Sequence, residues 1–236
     1  MNLLKTSALN GVAVLIKTAT MFILNKILAV YVGPAGYAAI GQFQNFIQMV
    51  TTFAGSAINT AVIKYTAEYH EDETKQRAIW KAAGSSVLIF SFIFSLIILI
   101  FQKQLSLYIF QTTAYQSVFA WFADFLVLFN LSTLFLAILN GKKEILKLVT
   151  ANIAGSVLSL LVMSVLAVQY HLYGALIALS IYQSIAFFVT LFLCYNPLGL
   201  NFHIYLGKLN HKLLKTSQLL HLWRSSAQFV CLYHKW

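Results

Sequence analysis

"LIKTATMFILNKILAVYVGPAG", residues 15–36, is apolar over about the length of a bilayer crossing and closes on a Gly-Pro pair. Lys17 and Lys26 nevertheless lie inside it. A crossing helix needs about 20 mostly apolar residues, and the Gly-Pro pair reads as its end. If the stretch is a span, the chain is a membrane protein and its two ammonium groups need an explanation.

The rest of the sequence agrees with a span. Of 236 residues, 60% are hydrophobic and 9% charged, and the mean hydropathy is +0.77. Soluble domains carry about 25% charged residues. Cys194 and Cys231 have no metal-ligand spacing and read as free thiols. There is no zinc motif, P-loop, nucleophile elbow or dinucleotide fingerprint, which argues against an enzyme, and no cofactor is expected. The N-terminal apolar stretch is interrupted by Lys17 and lacks a small-x-small cleavage site, so it is expected to stay attached.

Six spans are expected: Gly11–Val32, Ala38–Ala61, Ala82–Phe101, Ser117–Leu139, Leu148–Val168 and Tyr173–Tyr195. The fold class is all-α and polytopic. An even number of spans puts both ends on one side. That side collects thirteen cations: Lys5, then Lys64, Lys75, Arg77 and Lys81, then Lys142, Lys143 and Lys147, then five in the tail. The other side holds only Lys103. The positive-inside rule makes the basic side, and both termini, cytoplasmic. The net charge of +10 is mostly this asymmetry, with no compact basic domain to bind nucleic acid. Asn140-Gly141 followed by Lys142-Lys143-Glu144 reads as a tight hairpin, and Glu68–Arg77 as a solvated loop. His70 and His171 read as solvated loop residues rather than ligands. Tyr31, Tyr37, Tyr108, Tyr115, Trp121, Tyr170 and Tyr173 form an outer aromatic belt, with Trp80 at the inner interface.

Helical spacing of about 100° per residue sorts the polar residues inside the spans. In the first span Asn10, Lys17 and Asn25 share a face with Met21, beside Thr18, and Lys26 lies half a turn away. Lys26 reads as snorkelling to the interface, while for Lys17 snorkelling and a cavity-lining role both stand. In the second span Gln42, Asn45, Gln48, Thr52, Ser56, Asn59 and Thr60 fall on about a third of the circumference. Such residues can glue helices together, but seven on one face exceed a single helix contact and favour a hydrated path. Asn152, Ser156 and Ser159 align in the fifth span, and Ser180, Gln183 and Ser184 in the sixth. Asp124 is the acid within a span; interfacial solvation, pairing with a lysine and cation coupling all remain open for it.

"KILAVYVGPAGYAAIGQFQNFIQMV" (Lys26–Val50) and "AINTAVIKYTAEYHED" (Ala57–Asp72) resemble the N-terminal part of Wzx-type flippases, above all their lipid III branch. "LNGKKE" (Leu139–Glu144) also fits, and the resemblance extends loosely over residues 1–206. It implies an exporter fold of two six-helix bundles around a central, often cationic cavity, of which this chain holds one bundle. It further implies flipping of an undecaprenyl-diphosphate-linked oligosaccharide, an O-antigen or enterobacterial common antigen repeat, across the bacterial inner membrane. A polysaccharide polymerase and a chain-length regulator are the implied protein partners. The substrate-path residues are then Lys17, Asn25, Lys26, Gln42, Asn45, Gln48, Thr52, Asn59 and Asp124, with Lys17 meeting the diphosphate and the amides meeting sugar hydroxyls.

Residues 207–236 are expected to be a cytoplasmic tail unlike the family. A one-base shift of "WRSSAQFVCLYHKW" (Trp223–Trp236) permits an apolar, span-like reading, so a frameshift between about Lys208 and Leu222 is the expected origin of the tail. An inactive truncated membrane protein and a cation-coupled drug exporter of the multidrug/oligosaccharidyl-lipid/polysaccharide exporter superfamily, to which those flippases belong, are the alternatives. A membrane-embedded glycosyltransferase or polymerase fits less well, because the expected outer loop near Gln102–Gln116 has no acid or histidine.

Overall fold

The computed structural model describes residues 3–195. The expected tail lies outside the described residues, as do the side chains of Lys5, Asn10, Ser56 and Gln183. Helix α1 covers Leu3–Tyr31, and α2 covers Gly33–Thr51. A π-turn at Thr52–Ser56 joins α2 to α3, Ala57–Glu68. Then follow α4, Glu73–Phe110, α5, Gln116–Gly141, and α6, Ile145–Tyr195.

Four of these helices are long and apolar enough to cross a membrane, and the bent α2–α3 pair makes a fifth span. α6 supplies the sixth. At 51 residues it would be about 76 Å long if straight, far more than a hydrocarbon core of about 30 Å. It reverses at His171 (φ 49°, ψ −131°). A Cβ at Gly155 would lie 3.7 Å from that of Ala186, and one at Gly174 would run into the Leu166 carbonyl oxygen. Both pairs are centred near residue 170, so 145–170 and 172–195 run antiparallel. Only glycine fits at 174. With the two limbs of α6 counted separately, the helices roughly match the six expected spans.

Local chemistry sets the ends. Gly33 has φ +75°, a conformation L side chains avoid, and Pro34 starts α2 where no N–H partner is needed. Asp72 caps α4 by accepting from the backbone N–H of Thr74 and Lys75, each at 3.1 Å. Those bonds and the Lys75 ammonium hold its carboxyl below the ordinary 3.8. Several expected limits move: the α2–α3 pair runs from Gly33 to Glu68 rather than Ala38–Ala61, and α4 runs well beyond Ala82–Phe101, so the polar loops shrink to Tyr69–Asp72 and Gln111–Tyr115. Composition marks where the lipid stops, and capping marks where the helix stops.

At the end of the bundle that carries the basic loops, Thr66 is the hub. Its carbonyl accepts from Gln76 Nε2 at 2.8 Å and its hydroxyl accepts from Trp80 Nε1 at 2.9 Å. Gly141 packs against the same residue: a Cβ there would meet Thr66 Cβ at 2.7 Å and the Ile63 carbonyl oxygen at 3.0 Å. Lys142 lies over the Trp80 ring at 4.9 Å, and burial pushes its ammonium pKa down. Lys147 pairs with Glu144, one turn earlier at the start of α6. At the opposite end, His171 Nδ1 lies 3.2 Å from the Tyr31 carbonyl oxygen, and Ser117 bonds the Tyr173 hydroxyl at 2.9 Å.

The core has two parts. One centres on Phe43, whose ring meets those of Phe46, Phe110, Phe119 and Phe122 with centroids 5.4–6.3 Å apart. The other packs Val62, Trp80, Val87, Leu134, Phe135, Ile138 and Phe187 nearer the basic loops. Lipid is as apolar as these side chains, so close packing and interhelical hydrogen bonds carry the association.

Candidate functional site

Gln42, Asn45, Gln48 and Thr52 are all exposed, while Phe43, Ile47 and Val50 on the same helix are buried. One helix face thus packs, and the nearly opposite face is a row of three amides and a hydroxyl pointing out of the bundle. Thr52 Oγ1 donates to the Gln48 carbonyl at 2.7 Å. Beside the row, Tyr37 donates to Asn25 Oδ1 at 3.2 Å, which ties α1 to the start of α2. Lys17, Asn25 and Lys26 are exposed as well; only 6% of the α1 crossing is buried. Asp124 is exposed on α5 and forms no ion pair with Lys17 or Lys26 among the described residues.

Asn59 departs from the expected row. In an uninterrupted helix it shares the face of Gln48 and Thr52. A π-turn accommodates one extra residue, so every position after it lags by about 100°. The lag turns Asn59 towards α5, where its Nδ2 donates to Thr133 Oγ1 at 3.1 Å. It also buries Val62 and Thr66, at 1% and 0% exposure. Helix counting missed this because it assumes one unbroken period.

A buried polar layer that spacing did not single out continues from there. Thr133 Oγ1 donates to the Asn130 carbonyl at 2.9 Å, and Asn130 Nδ2 donates to Ser91 Oγ at 2.8 Å. Gly55 of the π-turn sits against Asn130: a Cβ there would lie 3.4 Å from Asn130 Oδ1. The signal available in the sequence was a lone amide in the middle of an apolar span. Ser180 and Ser184, expected as part of a polar face, are buried and bond backbone carbonyls; Ser184 reaches across to Phe125 O at 3.0 Å. They are helix glue. Asn152 is exposed, and Ser156 bonds the Asn152 carbonyl of its own helix.

No group of three or more His, Cys, Asp or Glu that could hold a metal occurs among the described residues. The helices define an all-α, multi-pass membrane protein, and one of them carries an outward row of three amides and a hydroxyl. The polysaccharide biosynthesis protein family matches residues 3–232, and the chain belongs to that family. It is 29% identical over 168 residues to the lipid III flippases of Escherichia coli (strain K12) and Shigella flexneri. Each match covers 71% of this chain and 38% of the relative, so the chain aligns with well under half of either flippase. No solved structure matches the chain. The resemblance to Wzx-type flippases thus stands on the family match as well as on the quoted residues.

Proposed function

We propose that this chain provides one helical bundle of a flippase that moves an undecaprenyl-diphosphate-linked oligosaccharide across the bacterial inner membrane. The carrying observation is the outward row Gln42, Asn45, Gln48 and Thr52. Sugar hydroxyls and a diphosphate cannot enter hydrocarbon without replacement partners, whereas a prenyl tail can stay in it. Amides and hydroxyls supply donors and acceptors to the sugar, and the exposed Lys17 ammonium suits the diphosphate. The basic loops at Lys75–Lys81 and Lys142–Lys147 support a cytoplasmic placement of that end, and hence of both termini. Asn59 and Asp124 are left out of the row: the first bonds α5, the second stands on another helix.

Complementation tests the reading. A strain lacking its lipid-linked oligosaccharide flippase receives this chain alone, or fused to the second half of a family member. Surface polysaccharide returning in either case is the expected outcome. No return, with both proteins accumulated in the membrane, removes the proposal.

A further inference from the structure

We infer that the extra residue held at Thr52–Ser56 is mobile along its helix, and that its passage beyond Asn59 carries this amide from Thr133 into the outward polar row. Both flanks of the π-turn are held, one residue out of register with each other. On one side Phe43, Ile47 and Val50 are locked in the aromatic core. On the other, Val62 is buried and Thr66 is bonded by both Gln76 and Trp80. A uniform helix would swing one flank out of its core by about 100°. The extra residue is therefore trapped between Val50 and Val62, but neither flank fixes where it sits in between.

The trapped segment is lightly anchored. Thr52 and Phe53 are exposed, Ala54 and Gly55 are buried but small, and Ile58 is only partly buried against the second cluster. Asn59 makes a single hydrogen bond across to α5, and its Oδ1 is buried without a protein partner. If the π-turn lies beyond Asn59 instead, residues 52–59 continue the register of α2, and Asn59 joins the face of Gln48 and Thr52. Thr133 then keeps its bond to Asn130, and Asn130 keeps Ser91. The segment is bent by 48°, so moving the π-turn also moves the bend. The inference stands on register and does not require the row to be wet.

Two single-residue deletions place Asn59 on opposite sides. Deleting Phe53 removes the extra residue before Asn59 and fixes it on Thr133. Deleting Ala61 removes it after Asn59 and fixes it in the row. In the full chain carrying Cys194→Ser and Cys231→Ser, the pair Asn59→Cys and Thr133→Cys is exposed to a short bifunctional thiol reagent in membrane vesicles. Bridging should be fast in the Phe53 deletion, at least about tenfold slower in the Ala61 deletion, and intermediate in the full-length chain. A separate Val62→Cys variant, unreactive in every background, verifies the fold. Equal bridging in the two deletions overturns the inference. Should either deletion fail to accumulate, amide exchange in the full-length chain decides: residues 57–61 should exchange at least about tenfold faster than 43–50, and equal protection overturns the inference. A dry polar row would show separately, as an unreactive Gln48→Cys.

Discussion

Asn130 is one amide in a run of apolar residues, and it ties three elements together. Its Nδ2 reaches Ser91, its carbonyl receives Thr133, and its Oδ1 faces the π-turn at Gly55. Interhelical hydrogen bonds in bilayers are worth about 0.6 kcal/mol on average and about 1.7 at most. Asn130→Ala leaves Ser91 without this donor and opens space beside Gly55. It should cost about 1–3 kcal/mol in a reversible unfolding titration in mixed micelles. No loss would mean that the layer is not a fastening. At the same scale, Lys17→Ala should reduce transport in the complementation assay more than Lys26→Ala, because Lys17 shares a face with Asn25 while Lys26 suits snorkelling. Normal transport by both would remove Lys17 from the substrate path.

Among the elements, two glycines and one carboxylate decide geometry. Gly174→Ala puts a methyl group into the Leu166 carbonyl and should prevent the reversal of α6, read as loss of the folded form from the membrane. Gly141→Ala meets Thr66 and should destabilise the basic hairpin by about 1–3 kcal/mol in the same titration. Asp72 has a folded pKa below its ordinary 3.8, so its cap is at full strength above that pH and fades as pH falls through the lowered value. Protection of the Thr74 and Lys75 amides should follow that fall in the native chain and lose its pH dependence in Asp72→Ala. The elements also separate what the sequence reveals from what it hides. The apolar spans were legible because bilayer thickness writes apolar runs of a fixed length. The row on α2 was legible up to Thr52 because it obeys one helical period. Asn59 was misplaced because "TFAGS" contains nothing that demands a π-turn. The extra residue is forced by two distant cores, whose registers no local pattern records.

For the molecule as a whole, two apolar clusters lie on either side of the Ser91–Asn130–Thr133–Asn59 layer, and the polar row of α2 stands outside both. The row is the feature that packing of these helices does not use. Its reactivity towards water-borne reagents therefore tests the account most directly. Single cysteines at Gln42, Asn45, Gln48 and Thr52, in a background without Cys194 and Cys231, should react with a membrane-impermeant thiol reagent, while one at Phe43 stays inert. Four cysteines as inert as that at Phe43 would contradict a wet polar path along this face.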